Sequence, residues 1–231
     1  MMTPQPDDTD DLDALVRRVD PDRWLSSRFI ADPQARADVI ALYAFDHELA
    51  RAPRTASNPL VGEMRLVWWR EALDEIFDGR PVRRHPTAEA LAEVVRRRGL
   101  AREALETMID GRYRELDPAP MTEAEALDWA RDTAGAAAVL AARTLDPVGE
   151  ALAARDAGAA WALSRTLGQG RIEAGPGRAA LRTALAGARR DVRRLSVAAF
   201  PAAAHGALAR ARASELAKRL RLTWAVARGR L

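Results

Sequence analysis

The sequence predicts an all-α fold, and three observations carry that reading. Ala, Leu, Arg and Glu, all helix-favouring, dominate the 231 residues. Aromatic residues make up only 5% and no useful run alternates apolar with polar, so strand signals are nearly missing. Apolar residues recur instead at helical spacing, and at 48% they suffice for one core. One domain is expected over residues 20–231, after an acidic N-terminus, residues 1–19, that is disordered or loosely attached.

Helix starts and stops can be read in chain order. Asp20-Pro21-Asp22 and Asp32-Pro33 each offer a helix start with proline at an early position. The second leads into QARADVIALYAFDHELAR, where Val39, Leu42, Tyr43, Leu49 and Ala50 fall near helical spacing, and Pro53 is expected to end it. TASNPLVGE reads as a loop by composition, and MRLVWWREALDEIF as a helix stopped by Gly79 and Pro81. Further helices are expected from Thr87 to Gly99 and over LAREALETMIDGRYREL. Thr122 and Glu125 form a capping box for a long helix holding the small-residue run Ala134 to Ala138. Pro147 should start a helix that repeats the small residues at Gly158, Ala159 and Ala160. GRIEAGPGR reads as a loop, and two or three helices should follow from about Arg178.

Composition excludes several chemistries. With no cysteine there is no disulfide, thiolate metal site or cysteine nucleophile, and His47, His85 and His205 lie too far apart in sequence to suggest a metal cluster. The N-terminus lacks the apolar core of a secretory signal and the arginines of a transit peptide, and no apolar run approaches the ~20 residues of a spanning helix. The expected location is cytoplasmic, with peripheral attachment to the inner face of a bacterial plasma membrane left open. From Arg178 onward thirteen basic residues meet only Asp191 and Glu215. Within that region RLRLTWAVARGRL is an arginine-rich amphipathic stretch with Trp224. It suits an anionic membrane surface, or else packs one face on the bundle as a solvated terminal helix. Nucleic acid is not an expected partner, because the basic region lacks aromatic interleaving and the rest of the chain is acidic.

The order of ALYAF, a proline-containing loop, RLVWWR, Gly79-x-Pro81 followed by His85-Pro86, MIDGR, two small-residue helices and FPAAAHGALA resembles the squalene and phytoene synthase family. The resemblance implies a single bundle of antiparallel helices around a central cavity. Active members carry two aspartate-rich motifs, because carboxylates at i and i+4 share a helix face and two such faces can hold Mg²⁺ against a diphosphate. Here the first motif would fall on Ala50, Arg51 and Arg54. The second would fall on Gln169, with Glu173 as the one retained acid. The pattern resembles most the subgroup lacking these aspartates that includes respiratory complex I assembly factor 6 and its bacterial relatives. That resemblance implies a non-catalytic role in complex I assembly, a complex I subunit or intermediate as partner, and no cofactor. Prenyl transfer with Mg²⁺, or binding of an isoprenoid lipid, are the alternatives.

Several side chains carry paired readings. Arg51, Arg54, Arg165 and Arg171 would flank the former diphosphate site, either clamping an anion without metal or pairing with Asp46, Glu48 and Glu173. Tyr43, Phe45, Trp68, Trp69 and Trp161 would line a lipid-sized cavity or fill the core. His47 reads as a hydrogen-bonding group rather than a base. Asp74 with Asp78, and Asp128 with Asp132, keep metal-like spacing but look like solvated helix faces.

Overall fold

The computed structural model describes residues 11–56, 58–209 and 214–231. Among these there is no strand. The chain forms α1 (Leu12–Val19), α2 (Pro21–Ser27), α3 (Pro33–Arg54), α4 (Pro59–Phe77), α5 (Pro86–Arg98), α6 (Arg102–Tyr113), α7 (Glu123–Ala130), α8 (Ala136–Leu145), α9 (Arg155–Gly168), α10 (Ala174–Asp191), α11 (Pro201–Ala204) and α12 (Glu215–Arg228). A π-helical segment, Arg131–Gly135, joins α7 to α8 into one continuous rod.

Two helices form the axis. Every residue from Asp38 to Asp46 on α3 is buried, as is every residue from Asp156 to Leu163 on α9. A helix apolar on all sides must be surrounded, and both are. α1, α2, α4, α5, α6 and α8 pack round α3, and α7, α8, α10 and α11 round α9. Leu42, Phe45 and Leu49 are wholly buried on α3, each contributing roughly 1.5–3 kcal/mol of burial. On α9 the small residues do what their size allows. A Cβ on Gly158 would lie 2.3 Å from the Ala134 carbonyl oxygen, so the α9 backbone rides directly on the π segment.

The helix starts follow local chemistry. Asp20 and Asp32 cap α2 and α3 ahead of Pro21 and Pro33, and Thr122 with Glu125 closes the capping box of α7. Gly99 and Gly229 end α5 and α12 in the left-handed region, at φ 60° and 59°.

Five boundaries differ from expectation. The acidic N-terminus is not loose from residue 12 on. Leu12–Val19 is helical, Val16 is fully buried, and Asp13 receives hydrogen bonds from Trp24 Nε1 at 2.9 Å and Arg28 Nη2 at 2.5 Å. Residues 1–10, expected as a disordered tail, lie outside the described residues. Pro53 does not end α3, which runs one residue further with the proline in its last turn. Most of TASNPLVGE belongs to α4, because the Asn58 side chain accepts from Val61 N at 3.0 Å and Pro59 takes the first helical position, where its missing N–H costs nothing. Pro176 likewise sits in the first turn of α10 rather than in a loop. After Pro147 comes a turn and a 3-10 segment, Ala151–Ala154, before α9.

Candidate functional site

At the bundle axis, α2, α3, α6 and α9 converge on charged side chains, of which Asp20, Arg23, Asp46 and Arg112 are buried while Arg54 and Arg165 remain about a third exposed. Asp46 follows Val39, Leu42 and Tyr43 on the inward stripe of α3, and Arg112 continues the stripe Leu105, Met108, Ile109 of α6. Arg112 Nη2 donates to Asp46 Oδ1 at 2.6 Å, and Arg23 Nη2 on α2 donates to Asp46 Oδ2 at 2.7 Å. Arg23 also pairs through Nε with Asp20, the residue that caps its own helix. Arg112 Nη1 reaches Glu115 at 2.6 Å in the 3-10 turn Arg114–Leu116. Glu115 is approached further by Arg171 at 2.9 Å and Arg54 at 3.6 Å, and Asp20 by Arg165 at 3.7 Å.

Electrostatics fix the protonation states. Burial alone would raise the Asp46 carboxyl, but Arg112 and Arg23 outweigh it and hold the group at about 2. Glu115 is likewise lowered: burial works against its charge, and Arg112, Arg54 and Arg171 overcome it. The guanidinium of Arg23 lies between two rings, 4.5 Å from the centroid of Trp161 and 4.7 Å from that of Tyr43. Burial pushes the Tyr43 phenol upward and it stays neutral. Next to both rings sits His205, fully buried with neither ring nitrogen bonded, and burial with Arg23 beside it drives its pKa to about 3.

Of these groups Asp20, Arg23, Asp46, Arg54, Arg112, Trp161 and Arg165 line a cavity of about 50 Å³. A site for a drug-sized or prenyl-sized ligand runs to ~300–1,000 Å³, so the axis admits no such chain. Mg²⁺ does not fit the wall either. The carboxylates there, Asp20 and Asp46, are each engaged by guanidinium groups, and Arg54 and Arg165 add positive charge. Among the described residues no three carboxylate or imidazole side chains gather as a metal would require.

The residues singled out by sequence fall into three clefts and the core. Ala50, Arg54, Arg165, Trp161, Gln169 and His47 line the central cavity. Arg51 turns away from it to pair with Glu48 at 3.0 Å, and with Trp68 and Trp69 lines a separate outer cleft of about 510 Å³ beside α4. The expected single aromatic cavity is therefore split. Phe45 is plain core against Trp69, and Tyr43 is sealed beneath Arg23. Arg171 and Glu173 lie in a third, surface cleft with Arg114 and Glu115. Of the expected partners Glu48 is kept by Arg51 and the others change: Arg54 and Arg171 go to Glu115, and Asp46 goes to Arg23 and Arg112. Asp74 pairs with Arg102, Asp78 with Arg80 and Asp132 with Arg155, separate surface ion pairs rather than a shared face for metal. Sequence reasoning missed Arg23, Arg112 and Glu115. The signal for Arg112 was present, a lone charge on the apolar stripe of α6.

A sequence model of the family described as squalene/phytoene synthase matches residues 16–170. Among curated proteins, NADH dehydrogenase (ubiquinone) complex I, assembly factor 6, of Bos taurus is 33% identical over 103 residues, which is 45% of this chain and 30% of that protein. Its Rattus norvegicus counterpart is 36% identical over 104 residues, with the same shares. The chain thus spans under a third of the length of these curated relatives. Among solved structures, a dehydrosqualene synthase in complex with ligand superposes with TM-score 0.70 at 15% identity, covering 94% of both chains. Squalene synthase HpnC from Alicyclobacillus acidocaldarius gives TM-score 0.63 at 17% identity, covering 94% of this chain and 92% of that one. At these identities the structural likeness speaks to the fold alone.

Proposed function

The chain belongs to the squalene/phytoene synthase family, and from that footing we propose that it is a non-catalytic member that helps assemble respiratory complex I while docked on an anionic membrane surface. The observation that carries the non-catalytic half is the axis itself. Ala50 and Arg54 occupy the wall where the reaction needs metal-binding acids, Asp46 is locked between two arginines, and about 50 Å³ of free space remains. The assembly half is supported by the relatives named complex I assembly factor 6, which match 45% of the chain. The reading uses no metal or other cofactor. The partner is a complex I subunit or assembly intermediate.

The membrane half is supported by α12. Leu222 and Ala225 are buried against the bundle, while Leu216, Leu220 and Trp224 stand exposed on the opposite side of the helix. Arg219, Arg221 and Arg228 are exposed around them, and Arg228 lies 3.8 Å from the Trp224 ring centroid. An apolar stripe flanked by arginine suits the boundary of an anionic bilayer. No helix among the described residues is long and apolar enough to cross a membrane.

A second reading, a carrier of isoprenoid lipid, is favoured by the outer cleft. Its volume of about 510 Å³ and its Trp68, Trp69 and Met64 walls suit a small apolar ligand.

The deciding experiment is deletion of the gene followed by measurement of assembled complex I and of NADH:ubiquinone activity in membranes. Loss of both, restored by the full chain, is expected; normal levels would overturn the assembly role. Incubating the protein with farnesyl diphosphate, Mg²⁺ and NADPH should yield no C30 product. Its appearance would overturn the non-catalytic half.

A further inference from the structure

The arginines of α10 are not neutralised. Most arginines ahead of this helix stand in ion pairs, at the axis or on the surface. Arg178, Arg182 and Arg189 on α10, and Arg193 in the 3-10 turn Val192–Arg194 that prolongs it, are exposed, and among the described residues none of the four has a carboxylate partner. No acid occurs between Glu173 and Asp191. Neighbouring carboxylates are already taken, Asp191 by Arg190 at 2.9 Å and Glu150 by Arg194 at 2.6 Å.

Helix geometry lines the charges up. At about 100° per residue, positions 178, 182 and 189 fall within about 40° of one another along about 16 Å of axis. Gly177, Ala180, Ala184, Gly187 and Ala188 are the buried residues of α10 and form its other side, packed on α9, so the row points away from the bundle. Like charges four residues apart, as at Arg178 and Arg182, repel and weaken the helix that holds them. The arrangement works against the free protein and suits a surface that meets opposite charge.

We propose that this row is a docking surface for an acidic helical segment of a protein partner, with carboxylates at i, i+4 and i+11 on one face. The identity of that partner as a complex I subunit or intermediate rests on the assembly role above; the chemistry of the surface does not.

A protein fits the row better than a bilayer. None of the large apolar side chains exposed among the described residues lies on α10, so nothing there can enter a membrane boundary as Leu216, Leu220 and Trp224 of α12 can. The two helices also face different ways. Gly187 of α10 packs on Asp156 of α9, whereas Gly206, in the turn on which α12 rests, packs on the next residue, Ala157. Adjacent residues of a helix point about 100° apart, so α10 stands to one side when α12 lies on lipid. Gly175 and Ala186, small and exposed beside the row, let an opposing helix come close, and charge spaced in this way sets its register.

The test uses the full chain and two synthetic alanine-based helical peptides. One carries Glu at i, i+4, i+11 and i+15, and the other carries four Glu spread round the helix. Fluorescence anisotropy should show salt-sensitive binding of the first and binding weaker by at least about tenfold for the second. Replacing Arg178, Arg182, Arg189 and Arg193 together by Gln should weaken binding of the first peptide by at least about tenfold, without lowering the Tm, because repulsion is lost rather than contacts. Replacing the same four by Lys should keep it. In a strain lacking the gene, the Gln variant should fail to restore assembled complex I while still sedimenting with anionic liposomes, and the Lys variant should restore it. Equal binding of the two peptides, or full restoration by the Gln variant, would overturn the docking surface. Loss of liposome sedimentation in the Gln variant would overturn it too, by assigning the row to the bilayer. If the deletion itself leaves complex I intact, the assembly role falls and the peptide comparison alone decides the surface.

Discussion

Arg112 donates to Asp46 at 2.6 Å across the α3–α6 interface, and the two side chains are only 3% and 4% exposed. Arg23 holds the other carboxylate oxygen from α2. Asp46→Ala would leave both guanidinium groups buried without their shared counterion, and breaking a buried pair this way costs about 3–5 kcal/mol. Urea unfolding is the measurement, and a loss below about 1 kcal/mol would contradict the description of Asp46 as the hub.

Acid should destabilise the fold in two windows. The His205 imidazole is kept neutral by burial, so its pKa of about 3 lies below the unfolded value of 6.5. The unfolded chain then binds the extra proton, and stability falls as pH drops from about 6.5 towards 3. Asp46, at about 2 against 3.8 unfolded, contributes stability that is complete above about pH 4 and lost as pH falls through 2. His205→Phe reduces the first loss, to which His47 and His85, both also lowered by burial, contribute the rest, and leaves the second. It also removes two unpartnered ring nitrogens, so stability at pH 7 should hold or rise by about 1 kcal/mol. Urea curves at pH 7, 5.5 and 4 test this, and parallel pH dependences for wild type and variant would refute it.

Gly158→Ala puts a methyl group 2.3 Å from the Ala134 carbonyl oxygen, a backbone atom that cannot swing aside. Overpacking of this kind costs about 1–3 kcal/mol. Gly168→Ala, at the end of the same helix with nothing within 4 Å of the new Cβ, should instead stabilise by up to about 1 kcal/mol through helix propensity. Melting temperatures should therefore move in opposite directions for the two variants.

On α12, replacing Leu216, Leu220 and Trp224 by Ser should abolish sedimentation with liposomes containing anionic lipid, and Arg219, Arg221 and Arg228 to Gln should remove its salt sensitivity. All six side chains are exposed, so unfolding midpoints should hardly change. Binding that survives both sets of substitutions would remove the membrane role of this helix.

Features set by neighbours in sequence were legible, and those set by neighbours in space were not. The caps at Asp20, Asp32 and Thr122 and the stop at Gly99 each need only a few consecutive residues, and they stand as expected. Asn58-Pro59 and Pro176 were misread because proline marks a helix start as well as a break, and only the preceding cap tells which. The absence of acids at Ala50 and Arg54 could be read by alignment of motifs. The Arg23–Asp46–Arg112 arrangement could not, since those partners lie 23 and 66 residues apart. Trp68 and Trp69 are adjacent in sequence, but their common cleft lies outside the axis because α4 packs on the outer side of α3.

The Asp46 hub also governs time. Ion pairs that tie α2, α3 and α6 together at the axis must all separate before the bundle can part, so local breathing there is blocked. Backbone amides from residue 40 to 50 should exchange with deuterium only through global unfolding, while those of α12, held by one face, exchange through brief local opening. The protein is then a slow, closed rod at its centre with a fast edge at its C-terminal helix.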